Sequence, residues 1–300
     1  MTYHKAVLLT ECIEGLNIKP NGIYVDVTFG GGSHSREILK HLVDGKLLAF
    51  DRDDDVLENI PNDKKFKLIQ TNYKNIKRFL RLEGITKVDG ILADLGVSSH
   101  QFDVAERGFS FRFEAELDMR MNTSASLSAR KVVNEYSEED LVNLFFKYGE
   151  IRISRKVAEL IVLAREKKEI VTTTDLLEIL DGVVPEKKKN QFLSQVFQSI
   201  RIEVNQEIES LKQMLIDGVG LLNVGGRFVV LSYHSLEDRL VKNIFKRGNL
   251  SGEIKKDFFG NISKEMKEVN RKVIIASEKE QKENNRSRSA KLRVAEKVEC

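Results

Sequence analysis

Apolar positions in the first hundred residues fall into short runs separated by amphipathic stretches of helical length, the alternation expected of an α/β domain. Residues 23–27, 46–50, 66–69 and 88–92 predict four strands. Helices are predicted between them at 35–42, with Ser33 or Ser35 as N-cap, and at 76–82. The next run of the same kind, 226–232, comes about 130 residues later, far beyond an ordinary α/β connection. The interval is helical in pattern. Leu141, Leu144, Phe145 and Tyr148 share one face behind a Ser137–Asp140 capping-box spacing, and Ile153, Val157, Ile161 and Ala164 form a second stripe. Thr174 and Asp175 are placed to cap a helix at 176–180, and Leu193, Val196, Ile200, Val204, Ile208, Leu211 and Leu215 predict one long helix returning to the sheet. The pattern predicts a helical domain of residues 105–212 inserted into an α/β domain made of residues 1–104 and 213–300.

Composition changes this picture little. Of 300 residues, 41% are hydrophobic and 32% charged with a net charge of +3, so a real core is expected and overall charge says nothing about nucleic acid. Charge distribution says more. Residues 242–300 hold sixteen Lys or Arg against nine Asp or Glu, which reads either as a basic tail for phosphates or as a solvated end. Cys12 and Cys300 are the only cysteines, and the five histidines lack ligand spacing, so neither a disulfide framework nor a metal site is expected. The N-terminal apolar run is too short for a signal peptide, no segment nears the ~20 apolar residues of a membrane span, and a cytosolic location is expected.

The first strand runs into Asp26-Val27-Thr28-Phe29-Gly30-Gly31-Gly32-Ser33-His34-Ser35. Glycines between a strand and a helix start let a ligand approach bare backbone. A dinucleotide fingerprint reads G-x-G-x-x-G, whereas Gly30, Gly32 and Ser35 leave its third glycine missing. Asp26 would repel a pyrophosphate and attract a cofactor carrying an amine and a sulfonium. S-adenosylmethionine, a nicotinamide cofactor and a plain tight turn remain open at this point. Asp51, about twenty residues on at the end of the second predicted strand, is placed to accept from ribose hydroxyls, or it is a surface acid. Asp94 ends the fourth strand and leads into Leu95-Gly96-Val97-Ser98-Ser99. An acid in such a turn can hold the N–H of an exocyclic amine and aim its lone pair at an electrophilic methyl group, so Asp94 and Ser98 are the catalytic candidates. Asp94 could equally serve the cofactor or cap a turn. His34 lines a pocket or decorates a helix start. Tyr73 packs on an adenine or fills core, and Tyr233 stacks on a flipped base or packs. Arg286, Arg288, Lys291 and Arg293 contact phosphates or belong to a solvated tail.

Several long strings occur together in order: His4 to Leu9, the glycine loop, Asp51-Arg52-Asp53, Asp89 to Ser99, Glu106 to Arg112, Leu117 to Met121, Phe197 to Asn205, His234 to Arg239 and Arg286 to Arg293. On these the chain resembles, nearly end to end, the bacterial small-subunit (16S) ribosomal RNA cytosine-N4 methyltransferases (methyltransferase H). The resemblance implies a Rossmann-like class I S-adenosylmethionine-dependent methyltransferase fold with an inserted helical domain for substrate recognition. It implies a cofactor set of Gly32, Ser33, His34, Asp51, Tyr73, Asp94 and Gln101, and methylation of a cytidine N4 amine in the decoding region of 16S ribosomal RNA. The implied partner is that RNA or the small ribosomal subunit, with no membrane; a homodimer is one candidate assembly. Ser33 stands where the family usually has glycine, His100 where it has proline and Tyr73 where phenylalanine is common. A nicotinamide-dependent dehydrogenase and a non-catalytic RNA-binding or assembly factor are the alternative readings.

Overall fold

A computed structural model describes residues 6–98, 101–102, 104–254, 264–270 and 272–299. Two compact units divide the chain: Met1–Gly96 with Ile208–Cys300, and Val97–Glu207. The division falls at 96/97 and 207/208.

The first unit is built on a seven-stranded sheet of order β3-β2-β1-β4-β5-β7-β6. The strands are β1 (Ile23–Asp26), β2 (Lys46–Asp51), β3 (Phe66–Gln70), β4 (Val88–Asp94), β5 (Leu222–Ser232), β6 (Met266–Glu268) and β7 (Lys291–Lys297). β1 to β5 pair in parallel, while β7 runs antiparallel between β5 and β6. The helices of this unit are α1 (Leu9–Leu16), α2 (Ser33–His41), α3 (Ile76–Leu82), α9 (Glu207–Leu221, from its second residue on), α10 (Ser235–Arg247) and α11 (Glu278–Glu283).

Both faces of this sheet are covered, as a parallel sheet requires. Successive strand residues alternate between two apolar clusters, following the period of two in a pleated strand. Val25, Ile91, Phe228 and Val230 join one cluster with Ile76 and Leu80 of α3, Met214 and Leu215 of α9, and Phe245 of α10. Tyr24, Leu92, Val229 and Leu231 join the other with Cys12 and Leu16 of α1 and Ile38 and Leu39 of α2. β1 has β2 on one side and β4 on the other, so the strand order reverses there. Ligands of open α/β sheets bind outside the carboxyl ends of the strands at this reversal. This is the Rossmann-like methyltransferase fold that the resemblance implied.

Three sequence expectations are corrected here. The N-cap of α2 is Gly32, which offers no side-chain bond; Ser33 is already helical and the Ser35 hydroxyl is committed elsewhere. Within the basic C-terminal stretch, Lys291 and Arg293 belong to no solvated tail, because Lys291–Lys297 forms an internal strand of the sheet. The single long helix is two, α8 (Glu186–Asn205) and α9, separated at Gln206, whose φ of +50° is left-handed.

The second unit holds α4 (Ala129–Glu135), α5 (Glu138–Gly149), α6 (Ser154–Arg165), α7 (Thr173–Ile179) and α8. Leu141, Leu144, Phe145, Val157, Ile161, Val196 and Ile200 fill its core, matching most of the predicted stripes; Ile153 is exposed instead. α7 is capped by Thr172, not Thr174, because Thr172 and Asp175 have the reciprocal i, i+3 spacing. Ser137 caps α5 by accepting from the Asp140 N–H, without that reciprocity. Asn205 stops the end of α8 from being bare: it accepts from the Met121 N–H (2.8 Å) and donates to the Met119 and Arg201 carbonyls.

Candidate active site

The site is assembled from the carboxyl ends of β1, β2 and β4. Asp26, the last residue of β1, is fully buried. One of its oxygens accepts from the Thr28 N–H (3.1 Å) and the other from the Ser35 hydroxyl (2.7 Å). Asp26 therefore ties the strand end to the first turn of α2, with both oxygens bonded to the loop. Burial raises its pKa, with the Ser35 bond opposing.

Between these anchors the loop turns at Gly30 (φ +48°) and Gly32 (φ +71°), where a side chain would be strained. A Cβ on Gly32 would also meet Arg36 Nη1 and the Phe29 ring at 2.9 Å. Gly31 differs: a Cβ there meets nothing within 4 Å, so its side of the loop is open space. The loop is held from outside, with Arg36 donating to the Gly31 carbonyl and Asn59 Nδ2 to that of Gly30 (3.2 Å).

Asp51 closes β2 and reaches across to this loop. Its Oδ2 accepts from the Gly30 N–H (2.8 Å), and its Oδ1 from the N–H groups of Arg52 (2.8 Å) and Asp53 (3.0 Å). A carboxylate has about four acceptor positions, so roughly one is left for a ligand hydroxyl. Burial raises the Asp51 pKa against these three bonds.

Asp94 closes β4 and sits deepest in the chemistry. Its N–H donates to the Thr28 hydroxyl (2.7 Å), which fixes the strand end against the loop. Its Oδ1 accepts from the Tyr233 hydroxyl (2.7 Å), and its Oδ2 lies 3.8 Å from His34 Nδ1, outside hydrogen-bond reach. Burial raises the Asp94 pKa; His34 and the Tyr233 bond oppose this, while Asp26 and Glu237 add to it. His34 is buried on α2, with Nε2 3.3 Å from the Val7 carbonyl.

Gly32, Ser33, His34, Asp51 and Asp94 thus share one end of the sheet. Tyr73 opens a short 3-10 turn (Tyr73–Asn75) after β3 and packs half-buried on one core face. Ser98 and Gln101 belong to the second unit, where the Ser98 N–H donates to Gln101 Oε1 (3.1 Å) and Ser98 Oγ accepts from the Gln101 N–H (3.2 Å). The Ser98 carbonyl also accepts from the Phe102 N–H (3.4 Å), so all three bonds stay within its own turn. Ser99, His100 and His4, Lys5 lie outside the described residues.

Sequence reasoning missed two members. The sequence offers Tyr233 as a base platform or as packing, not as a partner of Asp94, and it does not single out Thr28. Both sit one residue beyond a predicted strand end, and that position is the available signal. The tail also reads differently: Arg293 donates to both oxygens of Asp238 (2.8 and 3.3 Å), and Lys291 lies 3.5 Å from the same carboxylate. Of the four basic candidates Arg288 is exposed, while Arg286, Lys291 and Arg293 are half-buried.

The cradle fits S-adenosylmethionine better than a dinucleotide. Carboxylates end three adjacent strands, a setting that repels pyrophosphate and favours a sulfonium and an ammonium. Gly31 leaves open the space that a ligand would need.

Comparison with known proteins agrees. Residues 1–298 match the MraW methylase family. The ribosomal RNA small subunit methyltransferase H of Flavobacterium johnsoniae is 56% identical over 299 residues, covering 99% of each chain. That of Phocaeicola vulgatus is 54% identical over 296 residues, covering 98% of this chain and 97% of its own. That of Christiangramia forsetii is 55% identical over 299 residues, covering 99% of each. With its Rossmann-like sheet and carboxylate-lined glycine loop, the chain belongs to the MraW methylase family and is an S-adenosylmethionine-dependent methyltransferase.

Proposed function

We propose that this chain methylates the exocyclic N4 amine of a cytidine in the decoding region of 16S ribosomal RNA, acting in the cytoplasm on that RNA or the small subunit carrying it. The observation that supports this most directly is the geometry of Asp94: one oxygen is held by Tyr233, and the other meets no hydrogen-bond donor among the described residues. The relatives' printed names supply the RNA, and among the described residues no helix is long and apolar enough to cross a membrane.

S-adenosylmethionine, when bound, supplies an electrophilic methyl group on a cationic sulfur. The work of this chain is orientation. The Asp51 carboxylate, with one acceptor position left, holds a ribose hydroxyl, and Gly31 gives the ligand access to bare backbone. The N4 amine is a poor nucleophile because its lone pair is conjugated into the ring. Asp94 Oδ2 accepts one of its N–H bonds and directs the lone pair out of that conjugation, an orientational effect. Methylation leaves the nitrogen with a proton to shed, and Asp94, with its affinity for protons raised by burial, is the acceptor at that atom. Ser98 and Gln101 are proposed to complete the substrate and cofactor contacts, and the helical unit of residues 97–207 to recognise the RNA.

Mass mapping of modified nucleosides in small-subunit RNA from cells with and without this gene tests the proposal. Loss of one N4-methylated cytidine in the decoding region is expected. An unchanged map would sink the substrate assignment.

A further inference from the structure

Tyr233 is the residue that the mechanism has not yet used. It follows the last residue of β5 and precedes α10, so it sits at the same carboxyl edge as Asp94, one strand over. β4 and β5 are in parallel register, with Asp94 opposite Leu231. The tyrosine is fixed at both ends. Its N–H donates to Oε2 of Glu237 (2.9 Å), a buried carboxylate one turn into α10, and its hydroxyl donates to Asp94 Oδ1 (2.7 Å). Its ring lies against Gly96, whose Cβ position is 3.5 Å from Cδ2, so the turn after β4 and the turn after β5 meet across this side chain.

We infer that Tyr233 is a positioning residue for methyl transfer, which holds Asp94 Oδ1 as a permanent donor and so makes Oδ2 the oxygen best placed for the amine. The inference rests on the reading of Asp94 as the acceptor for the amine. A carboxylate that offers both oxygens equally has two ways to hold an N–H, with two directions for the nitrogen lone pair; a fixed donor on one oxygen fixes the orientation of the carboxylate and favours one of them. Tyr233 is suited to this because burial holds its pKa well above the ordinary tyrosine value, with Asp94 adding to the shift, so it stays a donor over the working range. The groups that face the Asp94 carboxylate are His34 from α2, Asp26 from β1, Tyr233 from the turn after β5 and Glu237 from α10, with Cys12 of α1 in the same field. His34 and the tyrosine hydroxyl favour the ionised carboxylate, whereas Asp26 and Glu237 disfavour it.

Two variants of the full chain test this. Tyr233→Phe keeps the ring and removes only the hydroxyl. It should lower kcat roughly ten-fold or more, the effect of one hydrogen bond to a charged group. It should leave the Kd for S-adenosylmethionine within about three-fold and move the acid limb of the pH–rate profile to higher pH. Glu237→Gln keeps an acceptor for the Tyr233 N–H while removing a charge, and should move the acid limb the other way, to lower pH. General loosening of the site cannot give shifts of opposite sign. A Tyr233→Phe enzyme with wild-type kcat and an unmoved acid limb overturns the inference, as does loss of cofactor affinity at unchanged kcat. If Asp94→Asn retains full activity, the reading of Asp94 fails instead, and the two failures are told apart.

Discussion

Asp51→Asn separates the two duties of the carboxylate at the end of β2. In the folded chain its two oxygens take three N–H donors, from Gly30, Arg52 and Asp53. Asparagine has one oxygen. Turned towards Arg52 and Asp53 it keeps two bonds and sets its NH₂ against the Gly30 N–H, donor to donor. An orphaned buried N–H costs about 1–3 kcal/mol. Opposing this, the raised pKa of Asp51 shows that burial disfavours its charge more than the three bonds favour it, and the neutral amide is free of that penalty. The two effects partly offset, so a net stability loss under about 2 kcal/mol is expected, or a fall in melting temperature of no more than ~4–8 °C. Ligand binding has no such offset. A charged acceptor for a ribose hydroxyl is lost and the Gly30 turn is released, and one charge-assisted bond alone is worth about 1.5–3 kcal/mol. S-adenosylmethionine should therefore bind roughly ten-fold to a hundred-fold more weakly. Calorimetric titration and thermal melts on the same samples measure both quantities. Wild-type affinity would refute the cofactor role of Asp51, and a collapse of the melting transition would make it a structural residue first.

Gly31→Ala should leave the melting temperature unchanged, because its Cβ meets nothing, yet weaken cofactor binding by filling the open side of the loop; unchanged binding would place the ligand elsewhere. Gly32→Ala should instead destabilise by about 1–2 kcal/mol from left-handed strain alone, read by urea unfolding. On the basic stretch, Arg293→Gln should lower stability by breaking the pair with Asp238 while leaving the salt slope of RNA binding unchanged; Arg288→Gln should reduce that slope by about one and leave stability alone. The acid limb of kcat/KM should lie above the ordinary aspartate value of 3.8, since Asp94 must be ionised to accept and burial raises its pKa; a limb at or below that value would remove Asp94 from the step. Stability has a second pH signature. Asp118 is half-buried, which raises its pKa, but its bonds to Arg120 outweigh this and lower it; Asp238 is lowered likewise by Arg293. Both groups stabilise above the unfolded value, and that stabilisation is lost as pH falls through their lower folded values.

Much of the sheet was legible because its strands obey local rules. Each of β1 to β4 is a short apolar run ended by an acid or a turn, and the pleat sends alternate residues to two covered faces. Apart from the caps of α2 and α7, what failed depended on a distant partner. The run from Leu193 to Leu215 has unbroken helical periodicity, and nothing local in it specifies the left-handed Gln206. The break is accompanied by Asn205 bonding Met119 and Met121, more than eighty residues earlier. β7 was hidden for a similar reason. Lys291, Arg293 and Glu296 look solvated, but Leu292, Val294 and Ala295 between them are buried, each paired with a residue of β5.

The same distinction governs the site. Asp51 and Asp94 could be singled out because a carboxylate at the carboxyl end of a strand in this topology has few other uses. The direction in which each points is a tertiary property. Asp26 has the same position on β1, yet it is fully buried with both oxygens bonded to Ser35 and Thr28, so it shapes the loop that its neighbours use. Three acids alike in sequence therefore divide into a staple, a clamp for the glycine loop with one position to spare, and an acceptor with one oxygen held. The held oxygen follows from the register of β4 against β5, which brings Tyr233 within reach of Asp94 across 139 positions of chain. The insertion that sets β5 so far from β4 in sequence leaves this register intact, so the tyrosine lies beside the acid it orients.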